Sequence, residues 1–258
     1  MVLSGSNTPS PKELEEINQR AERWQPQDVL AWAFKKYEPD IVLACSFGGT
    51  SGMALLDMAA KLNPQAKVFY LDTDFLFPET YALRDEVARR YGIQPMAFKS
   101  LLTPGEQADQ YGEALWRRDP DLCCQLRKVE PSRRALAGQR AWIAGLRRDQ
   151  SSTRRNVGVV EWDSQFSLVK INPLANWTEA QVQEYIHEHD VPYNALNDRG
   201  YPSLGCTHCT RAVKLGEDPR AGRWSGFSKT ECGLHLPGQA PLPQESPMDA
   251  KSGACPVP

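Results

Sequence analysis

Cys123 and Cys124 are adjacent, and about eighty residues later Cys206 and Cys209 form a Cys-x-x-Cys pair. If the four thiols act together, any fold of this chain must bring two remote segments to one place. A disulfide between sequence neighbours is strained by the peptide joining them. Seven cysteines, an odd number in 258 residues, do not make a disulfide scaffold. Four soft thiolates suit an iron–sulfur cluster. Zinc is the alternative, since Cys206-x-x-Cys209 has the spacing of a structural zinc pair, although Cys123-Cys124 does not. Spacing favours the cluster and leaves zinc open. Reduced thiols in this number point to a cytoplasmic protein.

Composition excludes several classes. With 41% apolar and 24% charged residues the chain reads as an ordinary soluble protein able to bury a full core. No apolar run approaches the roughly 18 residues of a membrane span. Met1 to Trp24 lacks the basic start and apolar stretch of a secretory signal. Net charge is −2, but residues 117–155 carry eleven Arg or Lys against four Asp or Glu. A charge run is usually a solvated face. Here Arg147, Arg148, Arg154 and Arg155 follow an apolar strand, which favours a compact-anion site. The overall negative charge speaks against a nucleic-acid partner.

Apolar runs at 40–46, 67–71, 94–98, 141–145 and 168–171 read as strands. Helical patterns cover Pro11 to Trp24, Gln27 to Tyr37, the stretch ending at Leu62, the segment after Pro78, and Trp177 to Asp190 with Asn176 or Thr178 near its cap. This alternation predicts an α/β fold with a mostly parallel central sheet flanked by helices on both faces. Residues 1–38 form N-terminal helices, 39–215 the α/β domain, 216–236 a mobile C-terminal segment, and 237–258 a disordered Pro/Gly/Ser-rich tail. Cys255, in that tail, reads as a free thiol, and Cys45, in a strand, as a small buried hydrophobe.

Ser46-Phe47-Gly48-Gly49-Thr50-Ser51 lies where a strand opens into a helix, so backbone N–H groups there can cradle an anion. Glycines in such turns also serve sterics alone. Leu71, Asp72 and Thr73 end the second strand, and ligands of open sheets gather at the carboxyl ends of strands. Asp72 and Asp74 read equally well as turn and cap residues. Gly145, Arg147, Arg148 and Arg154 follow the fourth strand. Arg220 and Arg223 could be oxyanion partners or plain surface residues. Cys232 sits in Lys-Thr-Glu-Cys-Gly-Leu-His. Lys229 and His235, if close, would lower its pKa, while Glu231 would raise it. His235 could orient the thiol or cap a helix.

Several words recur together: Asp121-Leu-Cys-Cys-Gln-Leu-Arg-Lys-Val-Glu-Pro131, Trp142-Ile-Ala-Gly-Leu-Arg-Arg-Asp-Gln-Ser151, Gly200-Tyr-Pro-Ser-Leu-Gly-Cys-Thr-His-Cys-Thr-Arg-Ala-Val213, Glu217-Asp-Pro-Arg-Ala-Gly-Arg-Trp224 and Lys229-Thr-Glu-Cys-Gly-Leu-His235. Over about residues 40 to 235 the chain resembles the assimilatory adenylylsulfate (APS) reductases, iron–sulfur members of the sulfonucleotide reductases with a Rossmann-like PP-loop fold. The resemblance implies a [4Fe–4S] cluster on Cys123, Cys124, Cys206 and Cys209, with Lys128 coupling it to substrate. It implies adenosine held near Leu71 and the phosphate loop. That loop departs from the usual pattern, with Thr50-Ser51-Gly52 where an acidic residue is expected. It also implies that Cys232 attacks APS, releasing AMP, and that thioredoxin or glutaredoxin then frees sulfite for cysteine biosynthesis. Alternatives are a phosphoadenylylsulfate (PAPS) or dual-specificity reductase, a PP-loop tRNA-thiolating enzyme, and a non-enzymatic metal-binding protein. The reading calls for no membrane or nucleic-acid partner and is compatible with a homo-oligomer.

Overall fold

The computed structural model describes residues 8–235. Its six strands are β1 (Ile41–Ala44), β2 (Val68–Asp72), β3 (Met96–Lys99), β4 (Ala141–Ile143), β5 (Val160–Asp163) and β6 (Leu168–Ile171). They form one sheet in the order β3-β2-β1-β4-β6-β5. Every pair is parallel except β5 with β6. The central strands β1 and β4 are apolar throughout, as strands covered on both faces must be. From β1 the chain moves outward through β2 and β3. It then returns to β4 on the other side of β1. The β1/β4 border is therefore the topological switch point, and its carboxyl-end crevice is where such sheets bind ligands. In register, Leu43 pairs with Val68 on one side and Ile143 on the other.

The five expected strands are present. The sixth, β5, was not foreseen. Its four residues show too short an alternation to register, and it closes the sheet as an antiparallel edge with Trp162 facing outward, 39% exposed. The turn into β6 uses Ser167 at φ +57.

Helix α1 (Pro11–Ala21) starts at a reciprocal Ser10–Glu13 capping box with proline in the first turn. Helix α2 (Pro26–Tyr37) buries Val29, Leu30, Ala33, Phe34 and Tyr37. Helix α3 (Thr50–Leu62) follows β1, and α4 (Pro78–Tyr91) ends on left-handed Gly92. The β3–β4 crossover holds α5 (Pro104–Tyr111), α6 (Leu115–Arg118), α7 (Pro120–Cys124), a π turn (Gln125–Val129) and α8 (Glu130–Leu136). Helix α9 (Glu179–Glu188) is capped by Thr178 with Gln181.

The main core lies between one sheet face and α2, α3, α4 and α9. Each fully buried Leu, Ile or Met there contributes roughly 1.5–3 kcal/mol. On the other face a smaller cluster packs Val42, Phe69, Trp142 and Leu168 under Ala135 and Leu136 of α8. Helices thus cover both faces, as the alternation predicts. No helix among the described residues is long and apolar enough to cross a membrane. Cys255 and the tail expected beyond residue 236 lie outside the described residues.

Candidate active site

The loop from β1 to α3 is braced from below. Phe47 adopts φ +52 and packs edge-on against Tyr70, ring centroids 5.6 Å apart. Asn194 Nδ2 donates to the Phe47 carbonyl at 3.0 Å, and Asn197 Nδ2 to the Gly48 carbonyl at 3.3 Å. Gly48 sits in a tight space, where a Cβ would meet Leu204 Cβ at 3.0 Å and push that side chain aside. With these carbonyls held inward, the first N–H groups of α3, orphaned as at any helix start, remain to face an anion. Ser46 is exposed on the same turn.

Gly145, at the end of β4, lets that strand approach α3; a Cβ would sit 3.3 Å from Gly52 N. Arg147, 3% exposed, donates to Ser51 Oγ and pairs with Asp149 (2.9 Å) and Glu179 (2.6 Å). Thr50 Oγ1 also donates to Glu179, at 3.3 Å. Arg147 thus positions the loop while lending it positive charge. Arg148 turns away. Its guanidinium takes a fork-shaped pair with Glu22 (2.6 and 3.0 Å) and donates to the Val157 carbonyl. Arg148, expected as an anion ligand, is paired in this structure with a carboxylate at the end of α1.

At the end of β2, Leu71 is half-buried. Asp72 accepts from Tyr81 Oη at 2.6 Å and pairs with Lys99 at 3.2 Å. Burial alone would raise the Asp72 pKa. Tyr81, the Asp74 N–H and Lys99 outweigh it, and the carboxyl is held low. Asp72 therefore closes the turn. Thr73 reaches elsewhere, with Oγ1 3.3 Å from Cys206 Sγ.

That contact opens the cysteine pocket. Asp119 caps α7 by accepting from Leu122 N–H. The π turn after Cys124 inserts an extra residue into the helical repeat. The altered phase lets Cys123, Cys124, Arg127 and Lys128 all face one pocket. Cys206 and Cys209 face it from the other side, where Thr207 N–H donates to the Phe75 carbonyl at 2.8 Å. Arg127, 1% exposed, stitches the halves together. It donates to the Thr73 carbonyl (3.1 Å) and Gln107 (2.7 Å), pairs with Asp74 (3.1 Å) and lies 4.6 Å above the Phe75 ring. Trp116 and His208 stack at 4.0 Å as a second aromatic wall.

Burial, then the neighbouring thiols, pushes Cys123 up to about 12 and Cys209 up to about 11. Burial also raises Cys124, against the pull of Lys128. Lys128 would be lowered by its own burial, but Cys206, Cys124 and Cys232 hold it above its ordinary value. Among the described residues no three His, Cys, Asp or Glu side chains close on a point fit for a single metal ion. Four soft sulfurs around a pocket with aromatic walls and two buried cations do fit a thiolate-ligated iron–sulfur group, whose negative charge the cations would offset.

The C-terminal segment folds over this pocket. Gly222 permits its entry, because a Cβ there would lie 2.2 Å from the Arg211 carbonyl oxygen. Trp224, 3% exposed, collects Arg223 (4.4 Å), Lys229 (5.5 Å) and Lys128 (5.8 Å) about its ring. Arg223 also donates to the Leu204 carbonyl at 3.0 Å. Arg220 donates to the Thr230 carbonyl at 2.7 Å and pairs with Glu231 at 3.1 Å. Burial first, then Arg154, brings the Arg220 pKa down to about 10. Arg154 grips Glu231 with Nε and Nη2, both at 2.8 Å. Cys232 follows, half-buried and unpaired with any other cysteine among the described residues.

His235 makes no hydrogen bond to the Cys232 thiol, and its Nδ1 has no partner among the described residues. Its ring stacks on Trp142 at 5.7 Å and 12°. Burial, with Lys170, Arg154 and Arg220 nearby, drives its pKa well below the ordinary histidine range. Of the two roles open in the sequence, this packing against Trp142 is the structural one, an anchor for the end of the segment. Asn194, Asn197, Trp116 and the structural roles of Arg127 and Glu231 were missed in the sequence. The only signal was a polar Asn inside the apolar Val191-Pro-Tyr-Asn-Ala-Leu196 run.

A family profile described as "Phosphoadenosine phosphosulfate reductase domain" matches residues 40–212. A protein of Halalkalibacterium halodurans named adenosine 5'-phosphosulfate reductase is 52% identical over 223 residues, 86% of this chain and 96% of its own. One of Gloeobacter violaceus named phosphoadenosine 5'-phosphosulfate reductase is 50% identical, covering 86% of this chain and 93% of its own. The crystal structure of phosphoadenylyl-sulfate reductase from Candida auris, a phosphate complex, superposes with a TM-score of 0.71 at 35% identity, over 80% of this chain and 100% of that one. With its mostly parallel sheet and glycine loop at the switch point, the chain belongs to the phosphoadenosine phosphosulfate reductase family of oxidoreductases.

Proposed function

We propose that the chain reduces adenylylsulfate (APS) to sulfite and AMP through a sulfonated Cys232, with thioredoxin or glutaredoxin as reductant. The observation that carries this reading is that Cys232 lies within electrostatic reach of Cys124 in the four-cysteine pocket and of Lys128 and Arg220. Adenosine is assigned to Leu71, Gly145 and the Ser46–Thr50 loop, at the switch point of the sheet. The phosphosulfate is assigned to the N-terminus of α3, Lys128, Arg220 and Arg223, whose donors suit oxyanions. Arg147 and Arg154 shape the site through their ion pairs.

In the first step Cys232 thiolate attacks the substrate sulfur. The S–O bond to the phosphate breaks, and AMP leaves with that electron pair. Lys128 and the arginines offset the charge that builds on the phosphate. In the second step a reductant thiolate attacks Cys232 Sγ and sulfite leaves. The second thiol of the reductant resolves the mixed disulfide, supplying the two electrons overall. A [4Fe–4S] cluster on Cys123, Cys124, Cys206 and Cys209 would add a fixed charge and a structural tie beside the substrate. Electrons arrive as thiols, in a reducing cytoplasm.

Incubation with APS but no reductant should add one SO₃ group, mapping to the Cys232 peptide by mass spectrometry. Cys232→Ser should lose that adduct and sulfite release while keeping iron, because a serine hydroxyl is hardly ionised near neutral pH. An adduct elsewhere overturns the mechanism. Anaerobically purified protein should carry four irons per chain, lost in Cys206→Ser; stoichiometric zinc without iron overturns the cluster. PAPS is the second reading, favoured by the name of the Gloeobacter violaceus relative. Comparing kcat/KM for the two nucleotides decides between them.

A further inference from the structure

Glu231 stands out among the charged groups that the reaction leaves unused. Its side chain is buried, with the residue 4% exposed, and it lies between two arginines that are themselves largely buried. All of its acceptor capacity is taken. Oε1 receives Arg154 Nε at 2.8 Å and Thr153 Oγ1 at 3.2 Å, and Oε2 receives Arg154 Nη2 at 2.8 Å and pairs with Arg220 at 3.1 Å. Arg154 is fixed in turn by Gln150 at 2.6 Å, and Gln150 accepts from the Arg147 N–H at 3.2 Å. One side chain of the C-terminal segment is therefore tied into the loop that follows β4. The next residue in sequence is Cys232, and Gly233 at φ +87 then turns the chain back toward Val129.

We propose that Glu231 is a latch: by pairing with Arg154 and Arg220 it holds Cys232 closed against the cysteine pocket, and it sets how often that thiol is exposed. Two buried arginines with no carboxylate between them would repel each other, whereas with Glu231 the three form a charge-assisted unit. A pair of this kind is held in one geometry, so the adjacent thiol is presented at one place. The second half of the reaction needs the opposite state, because a protein reductant must reach Cys232 Sγ. The latch is a two-state element with a closed form for sulfonation and an open form for release. Glu231 is a positioning residue in this scheme and touches no reacting atom. Its value to catalysis rests on the reading of Cys232 as nucleophile, but closure of the segment does not.

The test is peptide-resolved alkylation of the anaerobic holoenzyme with iodoacetamide, without nucleotide, in wild type, Glu231→Gln and Glu231→Asp. Glu231→Gln keeps the shape and removes the charge. Its Cys232 should be labelled at least about tenfold faster, the equivalent of 1.4 kcal/mol in the closing equilibrium. Glu231→Asp keeps the charge one methylene short and should restore most of the protection. Cys45, 2% exposed and pushed up to about 12 by burial, is an internal control for global unfolding. Equal labelling of Cys232 in wild type and Glu231→Gln overturns the latch. So does parallel exposure of Cys45, or a failure of Asp to rescue. Neither result bears on the SO₃ adduct, which tests the nucleophile separately. With nucleotide and reductant, an unlatched Glu231→Gln should show slower sulfonation and unchanged or faster release of sulfite from preformed adduct.

Discussion

Arg127→Met is the sharpest test of how the two halves of the cysteine pocket are joined. Methionine keeps the volume of the side chain but removes a buried guanidinium that holds the Thr73 carbonyl, Gln107 and Asp74 and covers Phe75. Gln107 is 2% exposed, so water does not readily replace its lost partner. Leaving a buried acceptor unpaired costs about 1–3 kcal/mol, and two are left here, the Gln107 oxygen and the Thr73 carbonyl. Relief of the arginine's own desolvation offsets part of that cost. Asp74 faces solvent in part and rehydrates. The net loss is about 2–4 kcal/mol, which for a domain of this size lowers Tm by roughly 5–15 °C. The same change frees the β2 turn whose Thr73 contacts Cys206, so iron retention should fall with stability. Thermal melting by circular dichroism, with iron per chain measured on the same anaerobic samples, reads both. A Tm within 2 °C of wild type with full iron would refute the idea that Arg127 joins the halves.

Gly222→Ala should raise KM for the nucleotide at least about fivefold with a smaller change in kcat. Its methyl group cannot coexist with the Arg211 carbonyl, so the Arg220–Arg223 word must shift as a unit; an unchanged KM would show that these arginines do not meet substrate. The His235 anchor should be pH-dependent. Its folded pKa lies below the ordinary value of about 6.5, so docking is fully supported above that pH and weakens as pH falls below it, because the released imidazole gains the proton while burial, and then Lys170, Arg154 and Arg220, oppose it in place. Limited proteolysis of the C-terminal segment, corrected for protease activity, should therefore rise from pH 7.5 to 5.5 in wild type but not in His235→Phe, and equal pH profiles would count against the anchor.

Much of this arrangement was readable in the residues. The apolar runs of β1 and β4, the Gly48-Gly49 turn and the cysteine spacing each reflect a requirement visible in the sequence: burial on both faces, close backbone approach, four thiols lining one pocket. Local requirements leave local signatures. What escaped depends on partners distant in sequence. Arg148 and Arg147 are neighbours in one arginine word, yet one braces α3 and the other is captured by Glu22, a residue with no motif. His235 looked like the helper of a nearby thiol, and only the fold reveals Trp142 beneath its ring. The π turn after Cys124 has no distinct composition. Its effect, turning the cysteines and Lys128 toward one pocket, is visible only in the fold.

The meeting of Thr73 with Cys206 across the pocket has a consequence in time. Ribosomes add about 5–20 residues per second, so Cys123 and Cys124 emerge roughly 4–16 s before Cys206 exists. During that interval the first pair has neither its ligand partners nor its aromatic roof from His208. The β1–β4 portion of the sheet can already assemble, since its strands are complete by Ile143. Under the cluster reading proposed above, metal capture waits for a nearly finished chain. A nascent or truncated product ending before residue 206 would present two adjacent thiols on an otherwise recognisable scaffold, an intermediate that quality control could read as unfinished.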